Sequence, residues 1–303
     1  MELRQLRYFR AVCEAGGFAK AAAVLEASQS NLSAQVAALE RELGAQLLRR
    51  AAHGVEVTPA GTALLQTARD VEDRIQAGTR EVEALAAGRI GAARVGLIGT
   101  LVALVTKAFL DRMAAVHPGV ALTLTEGATG TLEHDLAAGR LDVALINLPA
   151  SVRSVRTKAL FVEELVAVVP GERVARGEMR LAELANRPWL LPGSENALRG
   201  VIEAACERAG FRPRVVYEYE TIRLVDEAMA AVRGVTLLPA AGVVDGAPAG
   251  FAVRRVADAP SRVVGLGWSA ERPLEQPAAA ALVALEDVVR RGVGQRRPGL
   301  RLL

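Results

Sequence analysis

Apolar side chains first recur at Leu6, Phe9, Val12 and Cys13, a spacing that predicts an amphipathic helix over residues 3–13, ended by Gly16-Gly17. The next stretch, FAKAAAVLEASQSNLSAQVAALE (18–40), reads as two short helices joined by a tight turn. Leu25 closes the first helix, and Glu26 and Ala27 form the turn. Ser28 is of the type that caps the second helix, because its hydroxyl can accept an exposed backbone N–H. Within that helix Leu32, Val36, Leu39 and Leu43 follow at intervals of four, three and four, one face at a 3.6-residue period. Ser30, Ser33, Ala34 and Ala37 occupy the opposite face, small enough to lie close against another surface, and Gly44 stops the helix. Two helices joined this tightly, the second small and polar outward, fit a helix-turn-helix. Gln29, Ser30, Asn31, Ser33 and Gln35 would then stand at the base edges of a DNA major groove. A helical hairpin of some other all-α domain has the same pattern, so the rest of the chain has to decide between them.

Leu47-Leu48-Arg49-Arg50 and the alternation of Val55, Glu56 and Val57 about a His53-Gly54 turn predict a two-stranded ribbon, a wing. Arg49, Arg50 and His53 sit where a wing could touch phosphates, although a solvated turn histidine is the commoner explanation of His53. Thr58-Pro59 then opens a long helix, with Thr as cap and Pro at the first helical position. Along it Leu64, Ala68, Val71, Ile75, Gly78, Val82 and Leu85 alternate spacings of four and three, a seam expected to pack on the same helix of a second copy. Gly78 and Ala68 weaken the seam and favour a short dimerisation helix over a long coiled coil. Gly88 and Gly91 mark its end.

From Ala93 the pattern becomes strand–helix alternation. ARVGLI (93–98), VALTLTEG (120–127) and LDVALI (141–146) read as strands, with helices over 100–116 and 131–138, hence βαβαβ and a parallel sheet covered on both faces. A second set follows: strands 164–170, 188–192, 214–219 and 235–239, with helices over 196–209 and 222–232. Strands 251–256 and 263–268 and a helix from about Pro277 to Arg290 complete the chain. Two similar α/β units in tandem predict two lobes with a cleft between them.

Length and composition fit this division. A chain of 303 residues that is 51% hydrophobic has room for two or three units with real cores. It contains no apolar run long enough for a transmembrane helix, and the charged start MELRQLRYFR argues against a secretory signal. Cys13 and Cys206 fall in helical patterns and read as small core residues, with no disulfide expected. The net charge of +3 is weak evidence for nucleic acid, and residues 1–57 hold seven Lys/Arg against six Asp/Glu, so contacts to phosphate would have to come from local placement. Arg290, Arg291, Arg296, Arg297 and Arg301 give a basic C-terminal tail, expected to be a solvated or frayed end. The chain has no GxSxG, P-loop, CxxC or HExxH pattern, and His53, His117 and His134 share no metal-ligand spacing. No catalytic residue, metal or cofactor is expected.

The order of parts, winged helix-turn-helix, linker helix and two-lobed α/β domain, resembles the LysR-type transcriptional regulators over essentially the whole length. The most specific part is LRYFRAVCEAGGFAKAAAVLEASQSNLSAQVAALERELGAQLLRR followed by GVEVTPAG, and LAAGRLDVALI, ELVAVVP and GVTLLP agree with it. Ser30 stands where the family usually has Pro, Ala34 where many members carry Arg or another long polar residue, and Leu48 where Phe is usual. Alanine cannot make a bidentate guanine contact, which shifts readout to the neighbouring polar residues or to DNA shape. The resemblance implies an α/β multidomain chain with a periplasmic-binding-protein-like C-terminal domain that binds a small effector between its lobes. It implies double-stranded DNA, an effector and further copies of the chain (a dimer, then a dimer of dimers) as partners, RNA polymerase as a further candidate, no membrane, and a cytoplasmic location. The expected division is a DNA-binding domain over 1–58, a linker helix over 59–90 and an effector-binding domain over 91–303, its first lobe 91–162 with 268–303 and its second 163–267.

Ligands of open α/β sheets sit beyond the carboxyl ends of strands, where helix N-termini favour anionic groups. Thr100, Thr129, Ser194 and Thr221 lie at such places, and Thr100 and Thr129 best match the family's effector-contacting positions, with Asn147 a weaker candidate. Each hydroxyl taken singly is as well explained as a helix cap. An effector with a carboxylate or similar acceptor on an apolar body would suit them. The competing function is a small-molecule-binding protein or enzyme built on the two-lobed domain, with the N-terminal helices serving only dimerisation. Residues 18–61 discriminate between the two, because a pure dimerisation arm has no need of a wing.

Overall fold

The computed structural model describes residues 1–303 except 52–53, 87–89, 172–177, 195, 244–245, 248 and 295–298, and gives only the backbone at 50–51, 77, 80–81 and 83–86. The chain divides into two compact units, Met1–Val82 and Glu83–Leu303.

The first unit contains α1 (Leu3–Ala15), α2 (Phe18–Val24), α3 (Gln29–Leu43), the ribbon β1 (Leu48–Ala51) and β2 (Gly54–Val57), and most of α4 (Pro59–Ala86). Phe9, Val12, Ala21, Leu32, Val36, Leu39 and Leu47 form its core, the apolar face that the spacing in α3 defined. Ser28 caps α3 through its hydroxyl, which accepts the Asn31 N–H at 3.3 Å. Leu43 departs from the expected face: it is 42% exposed, on the last turn before Gly44 adopts the left-handed conformation that ends the helix. Glu40 fixes the ribbon's approach, its Oε1 accepting the N–H groups of Leu47 and Leu48 at 2.8 and 3.1 Å. The Thr58 hydroxyl donates to the Gln46 carbonyl at 2.7 Å and accepts the Gly61 N–H at 3.0 Å, which ties the start of α4 to the end of the α3–β1 loop. Arg10–Glu72 (2.8 Å) and Arg69–Glu14 (3.1 Å) ion pairs join α4 to α1.

The second unit opens with β3 (Gly91–Leu97), α5 (Gly99–Val116), β4 (Val120–Glu126), α6 (Thr129–Ala138) and β5 (Val143–Leu148). Strands β3, β4 and β5 are parallel, as the alternation predicts, with β3 in the middle. Their core joins Val95, Leu101, Phe109, Leu132 and Leu145 to Leu285 and Val289 of α9 (Gln276–Gly294). The sheet does not stay parallel. β6 runs from Val155 to Pro170, nine residues longer at its start than expected, and β11 (Ser261–Ser269) lies antiparallel between it and β5. The sequence hides the first half of β6 because Arg156, Thr157, Lys158 and Ala159 face solvent and break the apolar run.

The second half of β6 belongs to the other lobe, where it pairs with β9 (Thr236–Pro239) and β10 (Phe251–Arg254). Beside them lie the parallel pair β7 (Pro188–Pro192) and β8 (Arg214–Tyr219), α7 (Ala197–Arg208) and α8 (Arg223–Val232). Trp189 anchors that core, fully buried, with its indole N–H donating to the Leu184 carbonyl at 3.1 Å. The lobe boundary expected at 267/268 falls inside β11, whose residues 263–268 all pair with β5, so that strand belongs to the first lobe's sheet. The C-terminus also departs from expectation. Arg290 and Arg291 pair with Glu286 and Asp287, and β12 (Leu300–Leu302) adds to β6, while Arg296 and Arg297 lie outside the described residues.

Candidate functional site

In the first unit, α3 buries Leu32, Val36 and Leu39 and leaves Gln29, Ser30, Asn31 and Ser33 exposed, with Gln35 half-buried at the edge of that face. Its first turn carries no acidic side chain, so none opposes an anion approaching that end of the helix. Arg49 reaches across the ribbon to Glu56 at 3.9 Å and remains mostly exposed. His53 and the side chain of Arg50 lie outside the described residues.

The seam of α4 divides along its length. Ala68 is fully buried and Leu64 packs against the core of its own unit, because the first turns of α4 close that core. Val71 is half-buried, whereas Ile75 and Val82 are 44% and 67% exposed. The side chain of Leu85 lies outside the described residues.

In the second unit a cavity of about 390 Å³ lies between the lobes, beyond the carboxyl ends of β3, β4 and β5. Four of the five residues expected there line it: Thr100 near the start of α5, Thr129 at the start of α6, Asn147 on β5, and Thr221 just before α8. Ser194 is exposed in a turn outside the lining. Asn196 takes its place, capping α7 through its side chain, which accepts the Leu198 N–H at 3.0 Å.

Neither first-lobe hydroxyl is the N-cap of its helix, since Ile98 and Ala128 hold those positions. Both accept a hydrogen bond from the protein. Thr100 Oγ1 accepts Arg262 Nη2 at 2.7 Å, and Thr129 Oγ1 accepts the Asn147 backbone N–H at 3.2 Å. A hydroxyl that accepts in this way keeps its own proton to donate, so both can serve an acceptor in the cavity. Arg262 is held in turn by Glu163: Nε donates to Oε2 at 2.8 Å, and Glu163 Oε1 accepts the Ala241 N–H at 2.6 Å. Burial pushes the phenol of Tyr219, also in the lining, up to about 12, so it stays neutral, and its buried hydroxyl has no hydrogen-bond partner among the described residues.

The pattern of apolar positions did not mark Arg262 and Glu163. A signal did exist, because a carboxylate inside LFVEELVAVV, a run bound for the interior, needs a cation beside it. Among the described residues no group of three or more His, Cys, Asp or Glu could hold a metal ion, and no helix is long and apolar enough to cross a membrane. Burial pushes the thiols of Cys13 and Cys206 up to about 11 and about 12, and neither is in a disulfide.

Residues 3–62 match the family model described as bacterial regulatory helix-turn-helix protein, lysR family, and residues 86–290 match that of the LysR substrate binding domain. A probable hydrogen peroxide-inducible genes activator of Mycobacterium avium is 34% identical over 241 residues, 78% of each chain. The HTH-type transcriptional regulator TfdS of Cupriavidus pinatubonensis is 31% identical over 98% of this chain and 100% of its own. Among solved structures, full-length CbnR complexed with its target DNA superposes with a TM-score of 0.71 at 26% identity, covering 96% of this chain and 100% of that one.

Proposed function

The chain belongs to the LysR family of DNA-binding transcriptional regulators, with a helix-turn-helix domain and a substrate-binding domain and no enzymatic role, and from that membership we propose how this protein reads DNA and senses its effector. α3 enters a major groove, with Gln29, Ser30, Asn31 and Ser33 at the base edges and Gln35 at their margin. Arg50 and His53 of the ribbon meet phosphates and position the helix. α4 pairs two copies through Val71, Ile75, Val82 and Leu85, and two such dimers form the working assembly. The functional division is 1–58 for DNA, 59–90 for dimerisation and 91–303 for the effector, and the protein works in the cytoplasm, where its DNA lies.

A small molecule occupies the interlobe cavity, with Thr100 and Thr129 donating to an acceptor group from the first lobe and Thr221 closing from the second. The observation that supports this most directly is that both threonine hydroxyls already accept from the protein, which aims their protons elsewhere. Such a ligand changes DNA binding by favouring one lobe arrangement over another, with a coupling of about 1–3 kcal/mol in typical cases. Footprinting the purified protein on the DNA upstream of its own gene tests the reading: protected half-sites spaced by about one helical turn are expected. Protection without discrete half-sites, equal to that on random DNA, would remove the assignment of α3.

A further inference from the structure

We propose that the occupant of the interlobe cavity carries a protonated amino group in addition to an acceptor, an amino acid or a similar zwitterion, and that Glu126 and Glu220 receive that amino group. The proposal rests on the reading of this cavity as the effector site.

The lining holds two carboxylates from opposite lobes. Glu126 ends β4 in the first lobe, and Glu220 follows β8 in the second. Each lies against a glycine. A Cβ on Gly99 would stand 2.5 Å from Glu126 Oε1, and one on Gly193 would stand 2.3 Å from Glu220 Oε1, so any larger residue at either place would push the carboxylate away. Gly99 is the first residue of α5, which puts Glu126 beside the end of the helix that attracts negative charge. An anionic ligand group would have to compete with that carboxylate there. The start of α6, at Thr129, is left for an acceptor.

The cations of the cavity do not balance these two groups. Arg262 is committed to Glu163, and the remaining cation of the lining, Arg223, is exposed. With Glu163 included, two arginines face three carboxylates, a net charge of −1 at the site. Among the described residues neither Glu126 nor Glu220 makes an ion pair or a hydrogen bond, and so both are open to a ligand. An ammonium group has three N–H donors and no acceptor, which fits two carboxylates lining one cavity from the two lobes. The threonine hydroxyls and the α6 terminus supply what a carboxylate on the same molecule needs. A group held by both Glu126 and Glu220 would tie the two lobes together, so the amino function would report closure in a way that an acceptor bound by the first lobe alone would not.

The test is calorimetry on the full chain with the proteinogenic L-amino acids, paired with deaminated counterparts such as phenylpropanoate for phenylalanine and glutarate for glutamate. At least one amino acid is expected to bind, with its deaminated partner about tenfold or more weaker, the scale of a lost charge-assisted hydrogen bond. Glu126→Gln and Glu220→Gln keep the side-chain shape at exposed positions. Each should weaken the amino acid about tenfold or more and leave the deaminated acid unchanged or tighter. A deaminated acid that binds as well as its amino acid overturns the proposal, and so does failure of every amino acid to bind. If a deaminated acid binds and Thr129→Val abolishes it, the cavity remains the effector site and only the amino group is lost. If an amino acid binds and Glu126→Gln, Glu220→Gln and Thr129→Val all leave it untouched, the cavity is not its site and both readings fall.

Discussion

Arg262 and Glu163 meet inside the second unit with 2.7 Å between Nη2 and Oε2, their side chains 6% and 0% exposed. The pair joins β11 to β6, the two strands that run antiparallel beside the parallel sheet, and carries the guanidinium on to Thr100 at the cavity wall. Removing one member leaves the other as an uncompensated buried charge. Glu163→Gln and Arg262→Met should each lower the stability of the second unit by about 3–5 kcal/mol, read from urea denaturation followed by the fluorescence of Trp189 and Trp268, both in that unit. The paired replacement Glu163→Leu with Arg262→Met should recover much of that loss, because it leaves no lone charge. A single variant as stable as the wild type would mean that water reaches the pair.

The recognition helix gives a second prediction, which separates base contacts from phosphate contacts. Gln29→Ala and Ser33→Ala should weaken binding to the footprinted site more than to random DNA, by about 1–3 kcal/mol for a contact that discriminates bases. Arg50→Ala should weaken both about equally and reduce the salt slope by about one unit. Gel shifts over a salt series distinguish the two behaviours. Equal losses on both DNAs for all three variants would take α3 out of the groove.

How far the sequence reached can be judged from these same residues. Leu32, Val36 and Leu39 were readable because a helix with one buried face repeats its apolar positions, and Ser28 because few residue types cap a helix. Leu43 failed because periodicity does not say where the neighbouring elements end. Thr100, Thr129, Asn147 and Thr221 come to one cavity because strand ends and helix starts are placed by the alternation itself. Ser194 and Asn196 are equally good capping types two residues apart, and only the observed start of α7 decides between them. Arg262 and Glu163 are 99 residues apart, and nothing local ties a cation on one strand to a carboxylate on another. The antiparallel course of β6 and β11 was hidden for a related reason: the strand pattern gives the period and leaves the direction open.

Assembly supplies a third prediction. Ile75 and Val82 are exposed apolar residues on one seam of α4, and a second copy that covers them also covers Val71. Val71→Asp with Ile75→Asp would place unpaired charges in that contact, at a cost of several kcal/mol. Sedimentation should then show smaller species, and affinity for the two-half-site DNA should fall sharply. An unchanged sedimentation coefficient would move the dimer contact off α4.

Effector chemistry can be probed at the threonines. Thr129→Val keeps the side-chain shape and removes the hydroxyl that accepts the Asn147 N–H. It should weaken any cavity ligand found in the amino-acid series by about 1–3 kcal/mol, and Thr100→Ser, which keeps a hydroxyl for Arg262, should cost less than Thr100→Val. DNA binding without ligand should survive in all three, since that surface belongs to the other unit. Wild-type affinity in both valine variants would reduce the two hydroxyls to internal hydrogen bonding.

The last prediction concerns oxidation, because one relative carries the name of a peroxide-inducible genes activator. The nucleophile toward peroxide is a thiolate, so a sensor cysteine needs a lowered pKa and access to solvent. This chain has two cysteines, and both go the other way. Cys206 is fully buried in the second lobe's core, where burial and the nearby Glu203 carboxylate raise its thiol to about 12. Cys13 is raised to about 11, by burial first and then by Glu14, with Arg69 opposing. At neutral pH both are thiols. Hydrogen peroxide should therefore leave DNA binding unchanged, and a sulfenic-acid trap should label neither cysteine in the native protein. The sign of the pH dependence follows from the same shifts. Each folded-state pKa lies above the ordinary value of 9.0, so the folded form holds these protons longer than the unfolded chain. The stability they contribute is complete below pH 9.0 and is lost as the pH rises toward 11 and 12. Denaturation of wild type and Cys206→Ala between those limits isolates the contribution: the difference between the two should shrink as the pH rises. A rapid reaction of Cys206 with peroxide at neutral pH would show that α7 opens far more readily than its packing implies.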